Sequence, residues 1–322
     1  TNTDEFAGVN PGHTVINEVE VQIGGQQIDK QWGHWMEVWA ELTEPNDAGS
    51  MGISSGSGTR FQNMALAGGV GHPVSDGGSD VTATCRVPLQ FWFNRNPGLA
   101  LPLIALQYHE VKVMVTFASS VPGLSGIGQT QLWADYIYLD TDERRRFAQV
   151  SHEYLIEQVQ HTSGSDTSLD LNFNHPVKEL VWTGAYDATT GLRTDFTSDS
   201  KFKLVLNGHD RFAERPLEYF TQTQVWQHHT GTPVTGDLVN IDGSTQDDNV
   251  ASTGKASVDE IAVYSFALKP EEHQPSGTCN FSRIDNAQLK NSGAVNANAN
   301  VYAVNYNVLR VMSGMGGLAY SN

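Results

Sequence analysis

Four groupings in this chain have residue types and spacing that could do chemistry. His109-Glu110 and His152-Glu153 each open an HExxH pattern, in which one helix face brings two histidines to a metal and a glutamate to its bound water. Val113 and Ile156 stand where the second histidine belongs, so neither pattern closes a zinc site. Gly52-Ile53-Ser54-Ser55-Gly56 fits the GxSxG nucleophile elbow, which needs a buried strand before the serine and a helix after it. Here it floats in a Gly/Ser-rich loop, and chance composition accounts for it. His228-His229 are adjacent, and on a strand they point to opposite faces, so one ion does not take both. The 11 histidines therefore read as structural or surface groups, and no metal or other cofactor is expected.

Arg144-Arg145-Arg146 could be a nucleic-acid patch, but Asp140, Asp142 and Glu143 offer near-neighbour ion pairs, which favours a solvated helix face or a subunit contact. Net charge is −17 from 36 acids against 19 bases. That balance argues against direct nucleic-acid binding, which needs clustered cations to displace phosphate counterions. Trp32, Trp35 and Trp39 cluster closely; a sugar platform is conceivable, and core or interface packing is the preferred reading. Asn280-Phe281-Ser282 is a glycosylation sequon in a strand-like segment. Cys85 and Cys279 are too few for a disulfide framework and are expected to be free, buried thiols. No window approaches the roughly 18 apolar residues of a membrane helix.

The elements that would position these residues occur nearly twice. Val19-Glu20-Val21-Gln22-Ile23-Gly24-Gly25 leads through Trp32 and Trp35 to Val38-Trp39, and Phe202-Lys203-Leu204-Val205-Leu206-Asn207-Gly208 leads through Tyr219 and Phe220 to Val225-Trp226. Gly24 and Asn207 stand 183 residues apart, and Trp39 and Trp226 stand 187 apart. The apolar run 87–93 matches 261–266, and an expected strand at 133–139 matches 302–308. A repeat this long is a duplicated domain. Alternation over 111–117, 201–206 and 302–308 predicts half-buried strands, and Gly24-Gly25 and Asn207-Gly208 predict hairpin turns. Long Gly/Ser/Asp/Asn loops at 44–80, 119–129, 184–200 and 231–255 complete an all-β sandwich pattern.

Helix signals are scarce. The clear one is Asp140-Thr141-Asp142-Glu143, where Asp140 caps and the arginines follow away from the positive end of the dipole. The expected division is therefore a first domain at 1–142, a helical linker at 143–152 and a second domain at 153–322. Comparing the copies, the first is expected to lack about 31 residues, the length of two strands, at its start.

Several longer stretches resemble one family. Phe91-Trp92-Phe93-Asn94-Arg95-Asn96-Pro97-Gly98-Leu99, Asp140-Thr141-Asp142-Glu143-Arg144-Arg145-Arg146-Phe147-Ala148, Asn174-His175-Pro176-Val177-Lys178-Glu179-Leu180-Val181-Trp182 and Phe266-Ala267-Leu268-Lys269-Pro270-Glu271-Glu272-His273-Gln274-Pro275 are similar to signatures of the major capsid protein of nucleocytoplasmic large DNA viruses, the algal-virus and iridovirus type. The resemblance implies two tandem eight-stranded jelly-roll β-sandwiches, the first N-terminally truncated, and a virion location after synthesis in the host cytoplasm. It also implies a non-enzymatic, pseudo-hexagonal homotrimer that tiles an icosahedral shell beside neighbouring trimers, minor capsid proteins and a penton protein, with the inner viral membrane reached only indirectly.

Under that reading the residues that matter are structural. Trp32, Trp35, Trp39, Phe91 and Trp92 pack the first sandwich or its trimer face, Trp182 and Trp226 the second, and Asp140 to Arg146 link them. Arg95, Arg144, Arg145, Arg146 and Arg283 are expected in interdomain or intersubunit ion pairs. A tandem glycan-binding module is the alternative. A cupin-type metal enzyme is disfavoured because no His-x-His-plus-carboxylate cluster is present.

Overall fold

The computed structural model describes residues 11–44, 86–118, 129–184, 196, 200–231, 261–292 and 299–320. A single turn, α1 (Pro11–Thr14), leads into β1 (Ile16–Ile23) and β2 (Gln26–Trp32), a hairpin closed by Gly24-Gly25. Both glycines have positive φ, +59° and +82°, and a Cβ on Gly24 would come within 2.3 Å of the His109 ring. Helix α2 (Gly33–Thr43) follows, then the turn α3 (Trp92–Arg95) and β3 (Val111–Phe117), which pairs antiparallel with β1. The sheet order is β2-β1-β3. Val19, Val21 and Ile23 alternate inward and are wholly buried, as the period of two requires.

Helix α4 (Thr141–Gln149) links the halves, and Asp140 Oδ1 accepts a 2.8 Å hydrogen bond from Glu143 N, the expected cap. The second half contains β4 (His152–Gly164), β5 (Ser168–Asp170), β6 (Pro176–Thr183), β7 (Lys201–Leu206), β8 (His209–Asp210) and β9 (Arg215–Pro216). A π-turn at Tyr219–Thr223 runs into α5 (Gln224–His228), followed by β10 (Ile261–Ser265), β11 (Cys279–Asn280), β12 (Ala287–Ser292), β13 (Ala299–Met312) and β14 (Met315–Leu318). One sheet runs β10-β6-β13-β14 with β4 on β13 and β11 on β6, and the other runs β5-β12-β7-β8 with β9 on β7. Leu180, Trp182, Val301 and Ala303 of the first sheet face Phe202, Leu204, Ala287 and Leu289 of the second, which makes a sandwich core. Asn207 and Gly208 take the positive φ expected at the β7–β8 turn.

The two halves share apolar cores. Val19, Val21, Ile23, Met36, Phe91 and Trp92 pack with Ile156, Leu309 and Val311 of the second half. Trp35, Val38, Trp39 and Leu42 of α2 pack with Val159, Val181, Val225, Ile261, Val263, Tyr302 and Val304.

Three expectations need correction, and one helix was not foreseen. Residues 133–139 form no strand: among the described residues no ladder reaches them, and Trp133 and Tyr138 are 86% and 92% exposed. An alternating pattern makes a strand only where partners complete its backbone hydrogen bonds. Trp32 ends β2, and Trp35 and Trp39 lie on an 11-residue helix that no cap announced. His228 ends α5 and His229 follows it, so the pair is not on a strand. Cys279 is half-buried rather than buried. The GxSxG run, Cys85 and most of the long loops lie outside the described residues.

Candidate functional site

Buried charge concentrates where the halves meet. Glu157 on β4 receives Lys178 Nζ of β6 at 2.8 Å, together with the Arg95 guanidinium from the end of α3. His273 Nδ1 lies 3.7 Å away. Burial alone would raise the Glu157 carboxyl, but His273, Arg95 and Lys178 together pull it down to about 2. Arg95 also lies 4.8 Å over the Trp39 ring, and Lys178 5.4 Å over Tyr306. One carboxylate from the second half thus anchors a guanidinium from the first. A carboxylate this buried is tolerable because it is paired.

A second buried acid ties β2 to β4. Asp29 accepts from Val159 N and from Gln31 Nε2, each at 3.0 Å, and the Gln158 amide donates to the Ile28 carbonyl. Burial outweighs these donors and pushes Asp29 up to about 7. A third cluster sits past α5, where His229 is wedged between Glu271 at 3.0 Å and Glu179 at 3.1 Å. The Glu179 contact is charge pairing without aligned hydrogen-bond geometry. Burial lowers His229, but the two carboxylates reverse that and raise it to about 9, so it is a cation at neutral pH. Its neighbours hold α2: Gly231 N donates to the Leu42 carbonyl at 2.7 Å, and Thr230 Oγ1 lies 2.9 Å from the Thr43 carbonyl.

Aromatic packing completes the seam. Trp35 stacks at an angle on Tyr302 with centroids 5.1 Å apart and on Trp39 at 5.6 Å, while the half-buried Trp32 meets His161 at 4.9 Å. His34 Nδ1 lies 2.8 Å from the Tyr302 hydroxyl.

The structure thus brings Trp32, Trp35, Trp39 and Arg95 together, while Phe91 and Trp92 are buried in the separate cluster around Val19, Val21 and Ile23. Trp182 packs the second core, whereas Trp226 does not: it is 82% exposed. Asp140 caps the linker, Arg145 reaches Asp142 at 3.6 Å, and Arg144, Arg146 and Arg283 are exposed. Asn280 is exposed on β11, its side chain accepting from Ser282 N. His109 and His152 each bond backbone atoms, of Gly316 and Phe147. Sequence reasoning missed Asp29, Glu157, Lys178, Glu179, His229 and Glu271. The usable signal was Lys178-Glu179 inside the apolar strand Val177 to Trp182, since charges within a buried run must be paired. Among the described residues, no group of three or more His, Cys, Asp or Glu is arranged to hold a metal. This arrangement clamps two sandwiches together.

Comparisons with known proteins agree with that kind of role. Residues 2–140 match the family description "Major capsid protein N-terminus", and residues 143–239 and 250–317 match "Large eukaryotic DNA virus major capsid protein". The chain is similar to the major capsid protein of Pyramimonas orientalis virus, with 52% identity over 318 residues covering 97% of this chain and 78% of the relative. It is 38% identical to that of Paramecium bursaria Chlorella virus 1, covering 97% and 80%. Among solved structures it resembles a chain of the PBCV-1 virus capsid with a TM-score of 0.70 and 34% identity, covering 98% and 86%. The Faustovirus major capsid protein, at 12% identity and a TM-score of 0.57, shares the fold.

Proposed function

The chain belongs to the large eukaryotic DNA virus major capsid protein family, and from that premise we propose how its seam serves shell assembly. It is a structural protein of the virion capsid with a double jelly-roll fold. Three copies of a two-sandwich chain around a threefold axis present six similar faces, a pseudo-hexagonal unit that can tile a closed shell with one repeated contact geometry. The observation that carries this reading is the shared core across the seam: Trp35, Val38 and Trp39 of one half buried on Val181, Tyr302 and Val304 of the other. A rigid two-sandwich unit keeps neighbouring faces at a fixed angle, which tiling requires.

The meeting of the two family matches between residues 140 and 143 supports dividing the chain at the capped helix α4. Contacts with minor capsid and penton proteins, an indirect relation to the inner membrane and synthesis in host cytoplasm belong to the same reading. So does a structural rather than enzymatic role. Light scattering at rising salt tests it: a stable mass of three 35.2 kDa chains is expected. A salt-independent monomer alongside glycan-dependent tryptophan fluorescence would favour a tandem glycan-binding module instead.

A further inference from the structure

We propose that Asn207 is a self-modifying site, where the Gly208 amide nitrogen attacks the Asn207 carboxamide and converts the turn to an aspartyl or isoaspartyl linkage with loss of ammonia. The inference goes beyond the shell role and stands on the second half alone. Asn207-Gly208 is the chain's one Asn-Gly step. A succeeding glycine leaves the attacking nitrogen without a side chain in its way, and a Cβ on Gly208 would meet nothing within 4 Å.

The geometry of the turn prepares this reaction. Asn207 and Gly208 form the two-residue loop between β7 and β8, with φ of +50° and +78°, and both are exposed. Asn207 Oδ1 accepts from Asp285 N at 2.9 Å and from Asn286 N at 3.2 Å. Asn207 N in turn donates to the Asn286 carbonyl at 2.7 Å. Residues 285 and 286 run straight into β12, whose Ala287 pairs with Leu206 of β7, so the sheet holds the two donors in place. Two fixed N–H groups on one carbonyl oxygen have the form of an oxyanion hole, which stabilises the charge that develops when the carbon is attacked. Among the described residues nothing accepts from Asn207 Nδ2, so the leaving group is untethered.

Water is the only co-reactant the step needs. Solvent base takes the Gly208 amide proton as the nitrogen bonds to the Asn207 side-chain carbon, the bond to Nδ2 breaks, and ammonia leaves with a proton. Water then opens the succinimide. Cleavage at the side-chain carbonyl gives aspartate, and cleavage at the main-chain carbonyl gives isoaspartate, whose backbone carries one extra methylene. The new negative charge lies beside Asp285, and the isoaspartyl form lengthens a hairpin loop whose length sets the register of β7 against β8. Modification therefore loosens β8 and the 2.8 Å bond from Arg211 N to the Leu204 carbonyl that follows it.

The test incubates the full chain in water labelled with heavy oxygen and maps the product by peptide mass spectrometry, beside a synthetic peptide of residues 201–213 at the same pH and temperature. Heavy oxygen should enter at position 207 with loss of ammonia, about tenfold faster in the folded chain than in the peptide. Amides of residues 204–211 should exchange faster in the aged chain than in the fresh one. Asp tolerates positive φ, so Gly208→Asp keeps the turn while obstructing the nitrogen, and it should react severalfold more slowly. A folded chain that reacts no faster than the peptide would mean that the two donors only hold the turn shut, and the proposal would fall. Uptake at other asparagines ahead of Asn207, or an unslowed Gly208→Asp, would overturn it as well.

Discussion

The two halves carry the same order of elements and end in different states. In the second, β13 lies between β4 and β6, its alternate residues filling the sandwich on one side and the seam on the other. In the first, the matching residues 133–139 join no ladder among the described residues, and Trp133, Tyr136, Ile137 and Tyr138 are exposed although they are as apolar as their counterparts. The difference shows that alternating hydrophobicity states what a segment can bury, while ladder partners and a covering face decide whether it does. α2 and α5 make the same point: Trp39 is buried because a second sandwich stands over it, and Trp226 is exposed because none does.

That contrast is tested first at its tightest point. Trp35→Ala should destabilise the chain by about 3–5 kcal/mol in urea unfolding, since it leaves a large void between the halves. Trp226→Ala should change the unfolding of the isolated chain by no more than about 0.5 kcal/mol. Equal effects would mean that the halves do not differ as described. Glu157→Ala should cost about 3 kcal/mol or more, because it strands Lys178 and Arg95 without their anion. Glu153→Ala, which breaks the exposed 2.8 Å pair with Arg310, should stay below about 1 kcal/mol.

The seam should also weaken toward alkaline pH. His229 is raised from 6.5 to about 9, so its stabilisation is complete below about pH 6.5 and lost as pH rises through 9, up to about 3 kcal/mol. Asp29 is raised from 3.8 to about 7, so stability falls between those values and the penalty is complete above 7. Glu157 acts oppositely: lowered to about 2, it supports the fold above 4.5 and ceases to as pH falls through 2. Melting temperature should therefore decline from pH 6 to pH 10. His229→Gln should flatten the part above pH 7, and an unchanged profile in that variant would refute the role of His229. Smaller still, Asp140→Ala should cost about 1 kcal/mol by removing the cap of α4. Arg144→Glu with Arg145→Glu should leave monomer stability within about 0.5 kcal/mol, since both side chains are exposed. Unchanged trimer yield in that double variant would end the intersubunit role of this arginine run.

Much of the fold was legible because its signals are local. β3, β7 and β13 announce themselves by alternation, β1 by its recurrence in the second half, the two hairpin turns by Gly24-Gly25 and Asn207-Gly208, and α4 by its cap. Helix α2 was not legible. It starts at Gly33 after Trp32, with no capping side chain and no acid in its first turn. Both of its sides are buried, so no polar stripe marks a period of 3.6. Arg95 was picked out, but its partner was not, because Glu157 is set by how two sandwiches dock rather than by sequence spacing. The charge on His229 likewise depends on Glu179 and Glu271, which are distant in sequence and meet only in the folded seam.

Hydrogen exchange of residues 131–139 beside residues 302–308 in the chain tests the contrast between the halves most directly. Residues 302–308, held between β4 and β6, should be protected, and 131–139 should exchange within seconds. Protection of 131–139 equal to that of 302–308 would contradict the account.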